Sequence, residues 1–288
     1  MTFSADVLTW YEASARDLPW RRPEASAWAV LVSEFMLQQT PVARVLPVYT
    51  EWLARWPTPP DLAAVAPGEA VRAWGRLGYP RRALRLHAAA TAIAKTHGGV
   101  VPADVDTLLA LPGVGEYTAR AVAAFAFGQR VPVVDTNVRR VVARVELGQA
   151  DPGPPSTRRD LAATAALLPD GAAVAARFSV ALMELGALVC TARTPQCSAC
   201  PVTQHCTWLR AGQPPHTGPV RRAQRFEGTD RQVRGRLMAL VRAADSPVPR
   251  AELDLAWADV AQRERALHSL VVDGLLEPVA DERFALPS

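Results

Sequence analysis

Apolar residues along this chain recur mostly at helical spacing. Between residues 3 and 15, Val7, Leu8, Trp10 and Tyr11 mark the buried side of an amphipathic helix. Residues 28–39, WAVLVSEFMLQQ, predict a strongly apolar helix with one carboxylate, Glu34, in its middle. Thr40-Pro41 caps and opens the next helix, which runs to about residue 56 with Pro47 as a kink point. Short helices at 60–66 and 68–75, a loop at Leu77-Gly78-Tyr79-Pro80 and a helix at 83–97 follow. Residues 108–140 are punctuated differently. A short helix breaks at Pro112, Gly113-Val114-Gly115 form a tight turn, and a second helix starts with Glu116 and Tyr117. Val133-Val134-Asp135 leads into a third helix, on which Val138, Val141, Val142 and Val145 repeat at helical spacing. A linker at 150–157 precedes helices at 158–168 and 174–188. The expected fold class is all-α.

The last part of the chain is organised differently. QPPHTG at 213–218 reads as a boundary. Three helical patterns near 230–244, 249–257 and 260–273 follow, and Phe284-Ala285-Leu286 can pair with Glu277-Pro278-Val279. Three helices and a hairpin suggest a small winged-helix-like module over 229–288.

A chain of 288 residues with 49% apolar content accommodates two modest domains and a small third one. No apolar run approaches the roughly 18–20 residues of a membrane span, and residues 1–10 lack a secretory pattern. The expectation is a soluble, monomeric protein of a bacterial-type cytoplasm, with no membrane association. Net charge is +4, and its distribution says more. Residues 221–236 carry six Arg against two acids, whereas 237–288 carry five Arg against nine. The basic connector is therefore a better nucleic-acid contact than the acidic module behind it, which reads as a packing or partner-binding unit. Lys95 is the single lysine.

Three features carry chemistry. Cys190, Cys197, Cys200 and Cys206 are all the cysteines present, spaced C-x6-C-x2-C-x5-C. Disulfides are disfavoured inside cells, and a structural zinc usually shows two C-x2-C knuckles where this chain has one. Ligation of an iron–sulfur cube suits the irregular spacing better. The glycine turn is either an ordinary corner between helices or a place where backbone amides and a helix N-terminus receive a phosphate. Glu34 is either a solvent-facing helix residue or a desolvated carboxyl suited to general-acid work. Asp135 is at least a helix N-cap, a role that leaves it ionised and facing outward. Two carboxylates in opposed environments are what cleavage of a glycosidic bond requires, one to protonate the leaving group and one to stabilise an oxocarbenium-like sugar.

Together these stretches resemble the helix-hairpin-helix DNA glycosylases related to endonuclease III. The resemblance lies in LPGVGEYTA at 111–119, VPVVDTNVRR at 131–140 and the cysteine pattern, and it covers roughly residues 3–212. SEFMLQQT at 33–40 narrows it to the adenine glycosylase branch, the MutY proteins. The resemblance implies a [4Fe-4S] cluster on the four cysteines and two helical domains with double-stranded DNA in the cleft between them. One would span residues 26–131, the other would join 1–25 to 132–212, and 213–228 would be a linker. It implies that Glu34 protonates N7 of an adenine paired with 8-oxoguanine or guanine, and that Asp135 stabilises the sugar cation. Asn137 would position water and a carboxylate, and Tyr117 would hydrogen-bond within the active site. Gln39 and Tyr79 would wedge into the stack beside 8-oxoguanine, while Gln38 in the same turn, Gly113, Val114, Gly115 and Arg21 would contact the DNA. Two departures stand out: the tail lacks the Nudix-like domain of typical members, and Pro80 replaces a second aromatic residue after Tyr79. Competing readings are a thymine or uracil mismatch glycosylase and a non-catalytic iron–sulfur DNA-binding regulator.

Tyr117 stands where lyase relatives carry a catalytic lysine, and Lys95 lies outside the matching motif. The expected enzyme is therefore monofunctional. Borohydride treatment during turnover should trap no efficient covalent protein–DNA adduct; efficient trapping through an active-site amine contradicts this.

Overall fold

A computed structural model describes residues 2–216 and 226–288 of the chain. Residues 221–225 of the basic connector, and part of the expected 213–228 linker, lie outside the described residues. The helices in chain order are α1 (Phe3–Ser14), α2 (Ala27–Leu37), α3 (Val42–Arg55), α4 (Pro59–Ala63), α5 (Pro67–Trp74), α6 (Arg81–Thr96), α7 (Val105–Leu109) and α8 (Glu116–Phe125). They continue with α9 (Thr136–Val145), α10 (Thr157–Ala165), α11 (Ala172–Leu188), α12 (Thr207–Arg210), α13 (Asp230–Ala243), α14 (Arg250–Asp254) and α15 (Val260–Val272). Three short strands, β1 (Val248–Pro249), β2 (Glu277–Val279) and β3 (Arg283–Ala285), lie in the C-terminal region. Among the described residues no helix is long and apolar enough to cross a membrane.

The chain forms two compact units. The first comprises Met1–Leu31, Ala103–Leu109 and Val114–Val220. Its core is built on α11, against which α1 and α9 pack. Val7 of α1, the predicted valine stripe Val138, Val141, Val142 and Val145 of α9, and Phe178, Leu182 and Leu185 of α11 form one buried cluster. A buried carboxylate, Glu184, interrupts the apolar face of α11. Arg16 reaches it through Nε at 2.7 Å and Nη2 at 2.6 Å, and Arg21 through Nη2 at 2.9 Å. Burial alone would push this carboxyl up, but the hydrogen bonds and charges of the two arginines overrule it and hold it at about 2. Asp6 of α1 likewise accepts from Gln204 at 2.7 Å and pairs with His205 at 2.9 Å, tying α1 to the cysteine loop.

The second unit comprises Val32–Pro102, Ala110–Gly113 and Arg221–Ser288. Trp52 packs edge-on to Trp56 and Trp74, at 4.7 and 5.6 Å between centroids, and these rings bind α3 to α5. The C-terminal helices and strands belong to this unit. The expected hairpin forms, pairing Pro278 with Phe284 and Val279 with Arg283. The expected all-helix-plus-hairpin pattern misses one strand: Val248–Pro249 pairs with β3, giving the order β1-β3-β2. Two residues carry no periodicity that a sequence pattern could register.

The end of α2 also differs from the sequence expectation. The helix stops at Leu37, and Gln38-Gln39 form a turn. Thr40 does not cap α3, whose N-cap is Pro41. Its buried hydroxyl donates instead to the carbonyl of Leu77 at 3.1 Å, because the loop before α6 folds back on it.

Removing one partner of a buried ion pair costs about 3–5 kcal/mol, since the other charge stays buried. Glu184→Gln should cost stability on that scale. The group is depressed from 4.5 to about 2. The wild-type advantage is therefore full above pH 4.5, shrinks as the pH falls, and is lost as the pH passes through the folded value near 2. Urea unfolding of both proteins across this range checks it; a difference independent of pH contradicts it.

Candidate active site

The glycine turn takes the shape its sequence requires. Gly113 has φ +76, and a Cβ there would stand 2.6 Å from Cβ of Arg85, so both backbone and packing exclude a side chain. A Cβ on Gly115 would meet nothing within 4 Å, which leaves open space before the first turn of α8. Gly113 and Gly115 are exposed while Val114 is buried. Val114 thus anchors the turn through its side chain, and only its backbone is available to a ligand. The one carboxylate at the start of α8, Glu116, is paired with Arg120 at 3.0 Å.

Asp135 caps α9, accepting from the Val138 amide at 2.7 Å through Oδ1. Its Oδ2 accepts from Nδ2 of Asn137, also at 2.7 Å. Burial pushes this carboxyl above its ordinary value of 3.8, while the bonds from Val138 and Asn137 pull it back down. Asn137 is itself fixed, since its Oδ1 accepts from Nη2 of Arg140 at 2.8 Å. Arg140 donates further to the carbonyls of Gly186 at 2.6 Å and Cys190 at 2.7 Å. Gly186 is needed for this approach of α9 to α11: a Cβ on it would lie 2.7 Å from Cβ of Asn137. Tyr117 belongs to a small cluster with Ala121, Ala124, Val133 and Ala176, and its hydroxyl reaches the Met183 sulfur at 4.0 Å.

Glu34 lies on α2 in the second unit and is 4% exposed, so of the two settings the sequence left open it occupies the desolvated one. Gln38, Gln39 and Tyr79 are in the same unit, on two turns joined by one buried side chain, Arg82. Arg82 Nη1 donates to the carbonyls of Phe35 and Met36, both at 2.9 Å, and Gln38 at 2.6 Å. Its Nη2 donates to the Thr40 hydroxyl and the Gly78 carbonyl, each at 2.9 Å. Desolvation lowers this guanidinium to about 10, still protonated at neutral pH. Gln39 and Tyr79 both adopt left-handed backbone, φ +56 and +48, although neither is glycine. Each such residue costs about 1–2 kcal/mol, so the surrounding bonds must over-determine it. Gln39 is exposed, and Tyr79 is 44% exposed.

The four cysteines line one cavity together with Arg144, Val202 and Trp208. Among the described residues no group of three His, Cys, Asp or Glu side chains closes on a single-ion site. Burial pushes the Cys200 thiol up to about 11 and raises Cys197 as well, so iron binding must displace those protons. Nη1 of Arg144 lies 3.2 Å from the Cys190 sulfur, and Nε2 of Gln213 lies 3.3 Å from that of Cys197, donors suited to thiolates. Arg193 and Arg210 are exposed near this loop. Arg21, an expected DNA contact, is turned to the buried Glu184 and ties the turn after α1 to α11. Sequence reasoning missed Arg82, Arg140 and Gly186. Arginines inside helices carry no local signal of such contacts, and a glycine mid-helix is the one hint available.

Residues 32–165 match the HhH-GPD superfamily base excision DNA repair protein family, and residues 190–206 match the iron–sulfur binding domain of endonuclease III. The four cysteines are thus those of a [4Fe-4S]-binding loop. The adenine DNA glycosylase of Mycobacterium tuberculosis is 61% identical over 98% of this chain and 92% of its own length. That of Mycolicibacterium smegmatis is 60% identical over 98% and 94%. A thermostable thymine-DNA glycosylase superposes with a TM-score of 0.66 at 27% identity, covering 73% of this chain and 95% of its own. The fold is common to adenine- and thymine-specific enzymes, and whole-length identity separates them: the chain belongs to the adenine DNA glycosylase family of base excision repair.

Proposed function

We propose that this glycosylase hydrolyses the N-glycosidic bond of adenine paired with 8-oxoguanine, or with guanine. The contrast between its two carboxyl groups carries the reading. Glu34 is 4% exposed in an apolar helix, and Asp135 is a helix cap held by an amide and a carboxamide. Glu34 donates its proton to N7 of adenine. The C1′–N9 bond then breaks, with its electron pair leaving on the base. Asp135 stabilises the positive sugar until water adds to C1′, and the proton that water loses restores the Glu34 carboxyl. Asn137 holds Oδ2 of Asp135 and so sets where that charge points. Gln39 and Tyr79, strained and exposed, insert into the stack as adenine is extruded, which offsets the few kcal/mol that unstacking costs. The turn at Gly113–Gly115 receives a backbone phosphate. The iron–sulfur cluster orders the loop from Cys190 to Cys206; base release uses none of its chemistry.

Single-turnover assays on duplexes carrying A:8-oxoguanine, A:G, T:G and U:G test the specificity. Adenine release from the first two and none from the last two is expected; cleavage of T:G at a comparable rate contradicts it. Glu34→Gln should lower the rate by about 10²–10⁴ with duplex affinity retained. The rate should also fall at acid pH as Asp135 is protonated, with a midpoint above 3.8. The Asn137 hydrogen bond lowers that value. Asn137→Ala should therefore move the acid limb to higher pH, and an unmoved limb would show that Asp135 does not set it.

A further inference from the structure

The C-terminal region is fastened to the segments that bracket Tyr79. Arg242 of α13 donates to the carbonyl of Gly75, and Arg72 of α5 donates back to Arg242 and, at 3.0 Å, to Ala244. Asp273 pairs with Arg81, the first residue of α6, at 3.1 Å and with Arg234 at 2.6 Å. The Gly68 amide donates to Pro287 at 2.7 Å, and a Cβ on Gly68 would stand only 2.5 Å from that oxygen. No other residue allows that approach. These attachments lie on α5, on the turn after it, or at the start of α6.

One side chain then reaches Tyr79 itself. The guanidinium of Arg231, in the first turn of α13, lies 4.9 Å from the centroid of the Tyr79 ring and 5.8 Å from that of Phe226. All three residues are exposed. A guanidinium shared by two rings restricts both, because it stacks on aromatic faces as well as carrying charge. Arg82 already holds the backbone of the Tyr79 turn, but nothing in that network orients the ring beyond its 5.6 Å approach to the same guanidinium.

We infer that Arg231 is a positioning residue for Tyr79, and that the C-terminal module serves the reaction by presenting this ring for insertion beside the base opposite adenine. The inference rests on the reading of Tyr79 as the inserting side chain. It gives the module a task inside the enzyme in place of the partner-binding role that its acidic composition suggests. An acidic module is poorly suited to a phosphate surface, but it can act through packing and a single well-placed guanidinium.

A double-mutant cycle on the full-length, cluster-loaded protein tests this. Wild type, Arg231→Ala, Tyr79→Ala and the double variant are each bound to duplexes carrying an uncleavable sugar-fluorinated adenosine opposite 8-oxoguanine or guanine. The readout is the ratio of the two dissociation constants. Tyr79→Ala should reduce the preference for 8-oxoguanine. Arg231→Ala should reduce it about two- to five-fold, the range of an exposed cation–π contact, and should do nothing further once Tyr79 is gone. Phe226→Ala should act in the same direction and less. Thermal unfolding checks that the variants stay folded, with Arg231→Gln as the substitute should alanine loosen α13. An unchanged ratio in Arg231→Ala, with Tyr79→Ala impaired, overturns the inference and leaves the role of Tyr79 standing. An equal loss on both duplexes that persists without Tyr79, with the salt dependence reduced by about one ion, makes Arg231 a phosphate contact and overturns it too. An unchanged ratio in Tyr79→Ala removes the insertion role and the inference with it.

Discussion

Helix ends leave carbonyls without partners, and most of the candidate site residues of this protein, Glu34 apart, sit at or beside such ends. Buried guanidinium groups resolve that conflict. Arg82 gathers the carbonyls released where α2 stops and fixes the turn of Gln38 and Gln39 against that of Tyr79. Arg140 does the same where α11 ends, taking Gly186 and Cys190 while holding Asn137 on Asp135. Arg144 serves Ala150 and Thr191 at 3.1 and 2.8 Å and rests over Trp208 at 4.7 Å. A planar fork with five donors can serve several carbonyls at once, which a lysine ammonium on a flexible stem does less well. Burying the cation costs hydration, visible in the lowered pKa of Arg82, and the hydrogen bonds offset it.

These clamps have chemical consequences within each unit. In the first, the cysteine loop and the Asp135 carboxylate share one chain of contacts, from the Cys190 carbonyl through Arg140 and Asn137 to Oδ2 of Asp135. Disordering that loop would release a clamp on Asp135, so the order of the loop and the placing of that carboxylate are coupled. In the second unit, left-handed backbone falls on four non-glycine residues among those described, Gln39 and Tyr79 on the two turns and Asp281 and Glu282 between β2 and β3. Gln39 and Tyr79 keep left-handed backbones because Arg82, Thr40 and Trp74 hold the neighbouring carbonyls, the last through its indole N–H to Gly78 at 3.0 Å. Turns so held have their backbone ordered in advance, and preorganisation of that kind reduces the entropy lost on binding a ligand.

Much of the site was legible in the chain because its signals are local. The cysteine spacing, the glycine turn with its φ +76 residue, and a capping Asp before a valine-striped helix each need only a few consecutive residues. The hairpin of the tail was legible for the same reason, whereas β1 was too short to leave a pattern. Arg82, Arg140 and Gly186 were not legible, since an arginine in a helix looks the same whether it meets solvent or five acceptors.

Glu34 and Glu184 show where that boundary falls. Each is a lone carboxylate in an apolar helix, Ser33-Glu34-Phe35 and Met183-Glu184-Leu185, and each is buried. By itself the sequence determined that these stretches are apolar helices, because the neighbours of each carboxylate repeat at helical spacing, and it left open whether Glu34 faces solvent or the core. Only the tertiary structure decided that Glu184 is a structural anion, for Arg16 and Arg21 reach it from 168 and 163 residues away. The physical reason is that hydrophobic period is written in adjacent residues, whereas the charge state of a buried group depends on whatever partner the fold brings to it.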